Sequence, residues 1–127
     1  MPILVRPSSR PNFRRPIAIL TGPITMSAAE TFIQALMDRP GVTRIGESTQ
    51  RVFCDSLDRH LPNGWTFSLP NAVYLTRDGR AFDVTGIPPD VECPVFANAD
   101  VVARKDPALE KARETVRSAA RSTVSRE

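Results

Sequence analysis

The sequence predicts a single α/β domain, and three observations carry that expectation. Residues 16–22 form a short, nearly continuous apolar run of the kind that fills a buried strand. An amphipathic helical pattern follows, and a second strand-like run, Val42-Thr43-Arg44-Ile45-Gly46, returns after a Pro-Gly stop. A strand, helix, strand order with short connections favours parallel pairing through a right-handed crossover.

The elements follow in chain order. The run 16–22 ends in Gly22-Pro23 and reads as a central strand buried on both faces. Ala29, Phe32, Ile33 and Leu36 then fall at i, i+3, i+4 and i+7, which predicts a helix from about Ala28 to Asp38 with one face on the sheet. Pro40-Gly41 stops it, and Val42 opens the second strand. Beyond a less regular stretch, Trp65, Phe67 and Leu69 alternate with Thr66 and Ser68 between the turn signals Asn63-Gly64 and Asp78-Gly79, so a β-hairpin segment is expected. Asp106-Pro107 supplies a cap and a first-turn proline for a C-terminal helix lined by Leu109, Ala112, Val116 and Ala119. Residues 1–15 read as a flexible Pro/Arg-rich arm, 16–120 as the domain and 121–127 as a frayed tail.

Composition narrows the classes. The 127 residues are 41% hydrophobic and 24% charged, which is ordinary globular material. No apolar run approaches the ~20 residues of a membrane span, and the apolar start is too short for the ~7–15-residue core of a secretory signal. The net charge of +3 comes mostly from scattered arginines, clustered only at Arg6, Arg10, Arg14 and Arg15. Phe13 is the sole aromatic among them, so no nucleic-acid partner is expected. Cys54 and Cys93 lack the C-x-x-C spacing of a zinc or redox site and read as unpaired thiols. No cluster of metal ligands stands at binding spacing, and no cofactor is implied.

The hexapeptide Thr25-Met26-Ser27-Ala28-Ala29-Glu30 places a serine where the first strand gives way to the helix. A helix start offers unpaired N–H groups and a favourable dipole, which is what a developing oxyanion requires. Ser27 is therefore the leading candidate nucleophile. The same residues also spell a capping box, S-x-x-E, in which Glu30 would reach back to the backbone of Ser27. Capping and catalysis can coexist.

Four segments in order resemble the tail-specific, or C-terminal-processing, serine peptidase family. Ser27-Ala28-Ala29-Glu30 is similar to its nucleophile motif, and Gly46-Glu47-Ser48-Thr49 to its G-E-x-T. Leu61-Pro62-Asn63-Gly64-Trp65 is similar to its substrate-side turn and strand, and Gly86-Ile87-Pro88-Pro89-Asp90-Val91 to its closing motif. The resemblance covers residues 16–112 or so. It implies a crotonase/Clp-protease-like α/β domain, here in part, with Ser27 as nucleophile and the Ala28 N–H in the oxyanion hole.

The resemblance also sets out the base. In the Ser-Lys branch a lysine follows in G-E-x-T-x-G-K-G, but this chain has Arg51-Val52-Phe53 there, with Val52 in the lysine's place. Arginine cannot serve, because its guanidinium stays protonated. In the branch resembling tricorn-core peptidases and retinoid-binding relatives, serine works with a histidine and an acid, and Asp83 holds the acid's place. That branch's histidine and glycine-rich oxyanion loop lie upstream of the serine, so the chain reads as the C-terminal part of the domain. Its one histidine, His60, is a candidate base away from the family position. The expected function is peptide-bond hydrolysis of a polypeptide substrate through an acyl-enzyme on Ser27. An upstream fragment or a neighbouring subunit would supply the histidine, and exposed strand edges would favour a homo-oligomer. The alternative is a non-catalytic module of peptidase-like fold that holds a peptide or an apolar ligand.

Overall fold

In a computed structural model, which describes residues 9–10, 12–53 and 55–124, the chain begins with β1 (Ile17–Thr21), α1 (Ala28–Leu36) and β2 (Val42–Gly46). β1 and β2 pair in parallel, with Ile17 opposite Val42 and Thr21 opposite Gly46. The connection is short enough that Ile17 N–H donates to the Gly41 carbonyl at 2.8 Å. Gly46 ends β2 at φ 132°, where a Cβ would stand 2.0 Å from the Thr21 carbonyl oxygen, so only glycine closes this corner.

A hairpin follows, of β3 (Ser56–His60) and β4 (Thr66–Pro70), antiparallel and separate from the main sheet. The sequence pattern treats residues 56–60 as irregular because Ser56, Asp58, Arg59 and His60 dilute the apolar alternation. Tertiary pairing with β4 makes them a strand. Asn63-Gly64 turns between β3 and β4, while Asp78-Gly79 closes a second, narrower ladder at the Leu75–Ala81 bridge. The closing motif then runs into β5 (Val91–Glu92), which pairs in parallel with β2 and gives the order β1-β2-β5.

The chain ends in α2 (Asn98–Ala103) and α3 (Pro107–Val124). Leu109 N–H donates to Asp106 Oδ1 at 2.9 Å, which is the anticipated cap. α3 packs across β1 and β2, burying Ala108 and Ala112. Ile33 of α1 meets Phe53, Phe82 and Ile87 in the core, with Ile19, Met37 and Tyr74 packed against them.

Two expectations change. β1 reads as a central strand but stands at the edge of its sheet among the described residues, and Leu20 is exposed. On α1 the apolar face is only partly covered: Ile33 is buried, whereas Phe32 is 59% exposed and Ala29 is also open. Side-chain periodicity reports which residues share a face but not how much of it another element reaches. Arg6 of the basic arm, Cys54 and residues 125–127 lie outside the described residues. Cys93 carries a free, half-buried thiol.

Candidate functional site

The chain leaves β1 through a tight turn in which Thr25 N–H donates to the Gly22 carbonyl at 2.9 Å and Gly22 N–H donates to Thr25 Oγ1 at 3.0 Å. Ser27 follows at φ 53° and ψ −122°, immediately before α1. A non-glycine residue there costs on the order of 1–3 kcal/mol and persists only where its surroundings hold it. Two bonds hold it: Ser27 N–H donates to the Val52 carbonyl at 2.7 Å and to Glu30 Oε2 at 3.1 Å. Ser27 is exposed, as are Ala28 and Ala29. Ala28 is the first helical residue, so its N–H has no partner within the helix and is suited to an anion beside Ser27.

Glu30 is fully buried and organises the surroundings. Its Oε1 accepts from the Thr49 hydroxyl and from Arg51 N–H at 2.9 Å; its Oε2 accepts from Val52 N–H at 2.9 Å and from Ser27 N–H. Four donors replace the water that a buried carboxylate gives up, which is the condition for tolerating it. Thr49 extends the network, because Ile87 N–H donates to its hydroxyl oxygen at 2.8 Å and Thr49 N–H donates to the Ile87 carbonyl at 3.2 Å. Gly86 sits beside it at φ 72°, where a Cβ would lie 2.5 Å from the Thr49 carbonyl oxygen. Three of the four sequence motifs are thus joined through one carboxylate and the threonine bound to it. The S-x-x-E spacing foretold the bond from Glu30 back to Ser27, but nothing in the sequence tied that glutamate to Thr49, Arg51 and Val52.

Position 52 touches the serine directly, since its carbonyl accepts the Ser27 N–H. The side chain there is valine, 45% exposed, and it can accept no proton. Arg51 adopts φ 73°, a left-handed conformation that favours glycine. Asp83 is half-buried and follows Phe82, whose ring is in the core and whose carbonyl accepts Gly86 N–H at 2.8 Å. The loop that carries Asp83 is therefore clamped at Phe82 and at Ile87. His60 stands at the end of β3 on the separate hairpin, with Nδ1 2.9 Å from Thr66 Oγ1. The structure places Ser27 and Ala28 at one helix start and Asp83 on the loop anchored to Thr49. It places His60 on the other sheet.

Asp90 of the closing motif is a structural residue. It accepts from the Arg44 N–H at 2.7 Å and from its guanidinium, fastening the approach to β5 onto β2. An apolar cleft of about 620 Å³ runs beside the turn that leads into Ser27, lined by Leu20, Ile24, Met26, Phe32, Phe96 and Val101 among others. Among the described residues no group of three His, Cys, Asp or Glu side chains could hold a metal ion, and no helix is long and apolar enough to cross a membrane.

Comparison with known proteins agrees with this geometry. Among curated proteins none matches by sequence. A crystal structure of a putative peptidase from Parabacteroides merdae ATCC 43184 superimposes with a TM-score of 0.76 at 26% identity, over 87% of this chain and 34% of that one. The tricorn protease matches with a TM-score of 0.63 at 26% identity, over 76% of this chain and 10% of that one. The photosystem II D1 C-terminal processing protease matches with a TM-score of 0.53 at 28% identity, over 62% and 20%. The chain therefore spans about a third or less of each of these structures. The family model for Peptidase family S41 matches residues 5–93. With a family match over most of its length and an α/β fold shared with these proteases, the chain belongs to Peptidase family S41.

Proposed function

We propose that this chain is the nucleophile-bearing part of a serine peptidase that cleaves polypeptides through an acyl-enzyme on Ser27. The observation that carries this reading is an exposed serine kept at φ 53° on a strand-to-helix turn by a buried carboxylate and a backbone carbonyl. A purely structural cap has no need of that strain. The strand-to-nucleophile-helix arrangement also suits the crotonase and Clp-protease type of domain.

The Ser27 Oγ attacks the carbonyl carbon of the scissile bond while its proton passes to a histidine. The carbonyl electron pair moves onto oxygen, where the Ala28 N–H receives the charge. Collapse of that intermediate expels the amine, which takes the proton from the imidazolium, and leaves an ester on Ser27. Water, deprotonated by the same imidazole, then releases the acid. Asp83 orients the histidine, which residues outside these 127 supply, and the edge of β1, unpaired among the described residues, offers them a place to add a strand.

Fluorophosphonate labelling tests the proposal. The chain is compared with Ser27→Ala, alone and mixed with the polypeptide encoded immediately upstream. Label that depends on Ser27 and rises in the mixture is expected, and no Ser27-dependent label in any mixture removes the enzyme reading. A second reading, a peptide-holding module that does not cut, draws on the valine at position 52 and the sheet edge that is open among the described residues. It predicts peptide binding that Ser27→Ala leaves intact, with no label.

A further inference from the structure

We infer that the apolar face of the β3–β4 hairpin is a self-association surface, on which a second copy of this chain packs as an isologous dimer. The register fixes the face. Leu57 stands opposite Leu69 and Arg59 opposite Phe67, so these four share one side, and Ser56, Asp58, His60, Thr66 and Ser68 share the other. The Leu61 N–H bond to the Trp65 carbonyl at 2.8 Å continues the ladder by one pair and adds Leu61 and Trp65 to the apolar side.

The five apolar side chains of this face are between 38% and 71% exposed, with Trp65 the most open. No helix or strand among the described residues packs substantially against the hairpin. A lone two-stranded hairpin is marginal in water, and stability comes when a third layer covers its apolar side. With side chains of about 150–250 Å² for the aromatics and somewhat less for the leucines, the face offers on the order of 450 Å² of apolar surface. That is already the size of the largest patch on an ordinary monomer.

The shape of the face selects the occupant. It consists of two parallel rows of side chains about 5 Å apart, and a single extended peptide covers only one row. A second hairpin covers both, at the ~10 Å spacing of stacked sheets. Two such faces together hide about 900 Å² of apolar area, and a polar rim takes the contact past the ~1,000 Å² that separates specific interfaces from chance ones. Arg59 is the one charge on the face. It stands beside Phe67, and a guanidinium stacks on aromatic rings rather than excluding them, so a two-fold arrangement sets each Arg59 against the partner's aromatics.

Trp65 is the chain's only tryptophan, so its emission reports burial of this face without any substitution. Sedimentation velocity and Trp emission are followed on the full chain from about 1 to 100 µM, the range in which small interfaces associate. The expected result is a concentration-dependent doubling of mass accompanied by a blue shift. Phe67→Glu, checked for an unchanged circular dichroism spectrum, weakens dimerisation by about 100-fold, whereas Ser56→Lys on the polar side leaves it intact. A chain that stays monomeric with unmoved emission overturns the inference. So does a dimer indifferent to Phe67→Glu, or a blue shift that comes only on adding an apolar peptide or another polypeptide.

Discussion

Replacing Glu30 by glutamine removes one negative oxygen from a pocket that contains only donors. In the better of its two orientations the new amide N–H₂ faces Val52 N–H and Ser27 N–H, while its oxygen keeps the Thr49 hydroxyl and Arg51 N–H. Ser27 N–H retains the Val52 carbonyl at 2.7 Å, but Val52 N–H is left facing another donor. A stranded buried donor costs about 1–3 kcal/mol, and the loss of charge from the remaining bonds adds about another 1 kcal/mol. The expected destabilisation is therefore ~3 kcal/mol, a large share of the ~5–15 kcal/mol that holds a domain together. For a chain of this size that lowers Tm by about 10 °C, read by far-ultraviolet circular dichroism and by urea unfolding at neutral pH. Glu47→Gln, at an exposed position immediately after β2, serves as the control and shifts stability by no more than ~0.5 kcal/mol. If Glu30→Gln melts within about 2 °C of the parent, the carboxylate is not what holds the Ser27 turn, and the reasoning fails.

Three further outcomes follow from the same geometry. Ser27→Gly relieves the positive φ and raises stability by ~1 kcal/mol in a thermal melt, and under the proposed acyl-enzyme reading it also abolishes fluorophosphonate label. Gly86→Ala forces a Cβ to within 2.5 Å of the Thr49 carbonyl oxygen at φ 72°, so it costs ~2–3 kcal/mol in urea unfolding; a neutral result would mean that the loop shifts freely. Val52→Lys puts an amine on the residue whose carbonyl holds Ser27, so the chain alone gains Ser27-dependent label that climbs between about pH 8 and 10 as the ammonium deprotonates; label unchanged at every pH would show that position 52 does not reach the hydroxyl.

Much of the site was legible because its signals are local. The apolar run before Gly22-Pro23 and the helical spacing after it placed Ser27 at a strand-to-helix turn, and Asp106-Pro107 announced the start of α3. β3 was not legible, because its stabilisation lies in pairing with β4 rather than in its own composition. α2 escaped as well, being six residues long and without a buried side chain. The chain of bonds from Glu30 to Thr49 and from Thr49 to Ile87 was hidden for another reason: residues 19 and 57 positions from the glutamate in sequence come together only once the sheet is assembled.

By itself, then, the chain's order of residues determined the type of each long element and which serine could stand at a helix mouth, since periodicity, caps and turn residues act over a few neighbours. The tertiary structure decided that Ser27 is held in a strained backbone state, that the glutamate expected to cap also locks three motifs together, that β1 lies at a sheet edge among the described residues, and that the hairpin presents its apolar side to solvent. Those outcomes depend on what packs against what. Burial and the satisfaction of buried donors are properties of the assembled surfaces, and no window of sequence contains them.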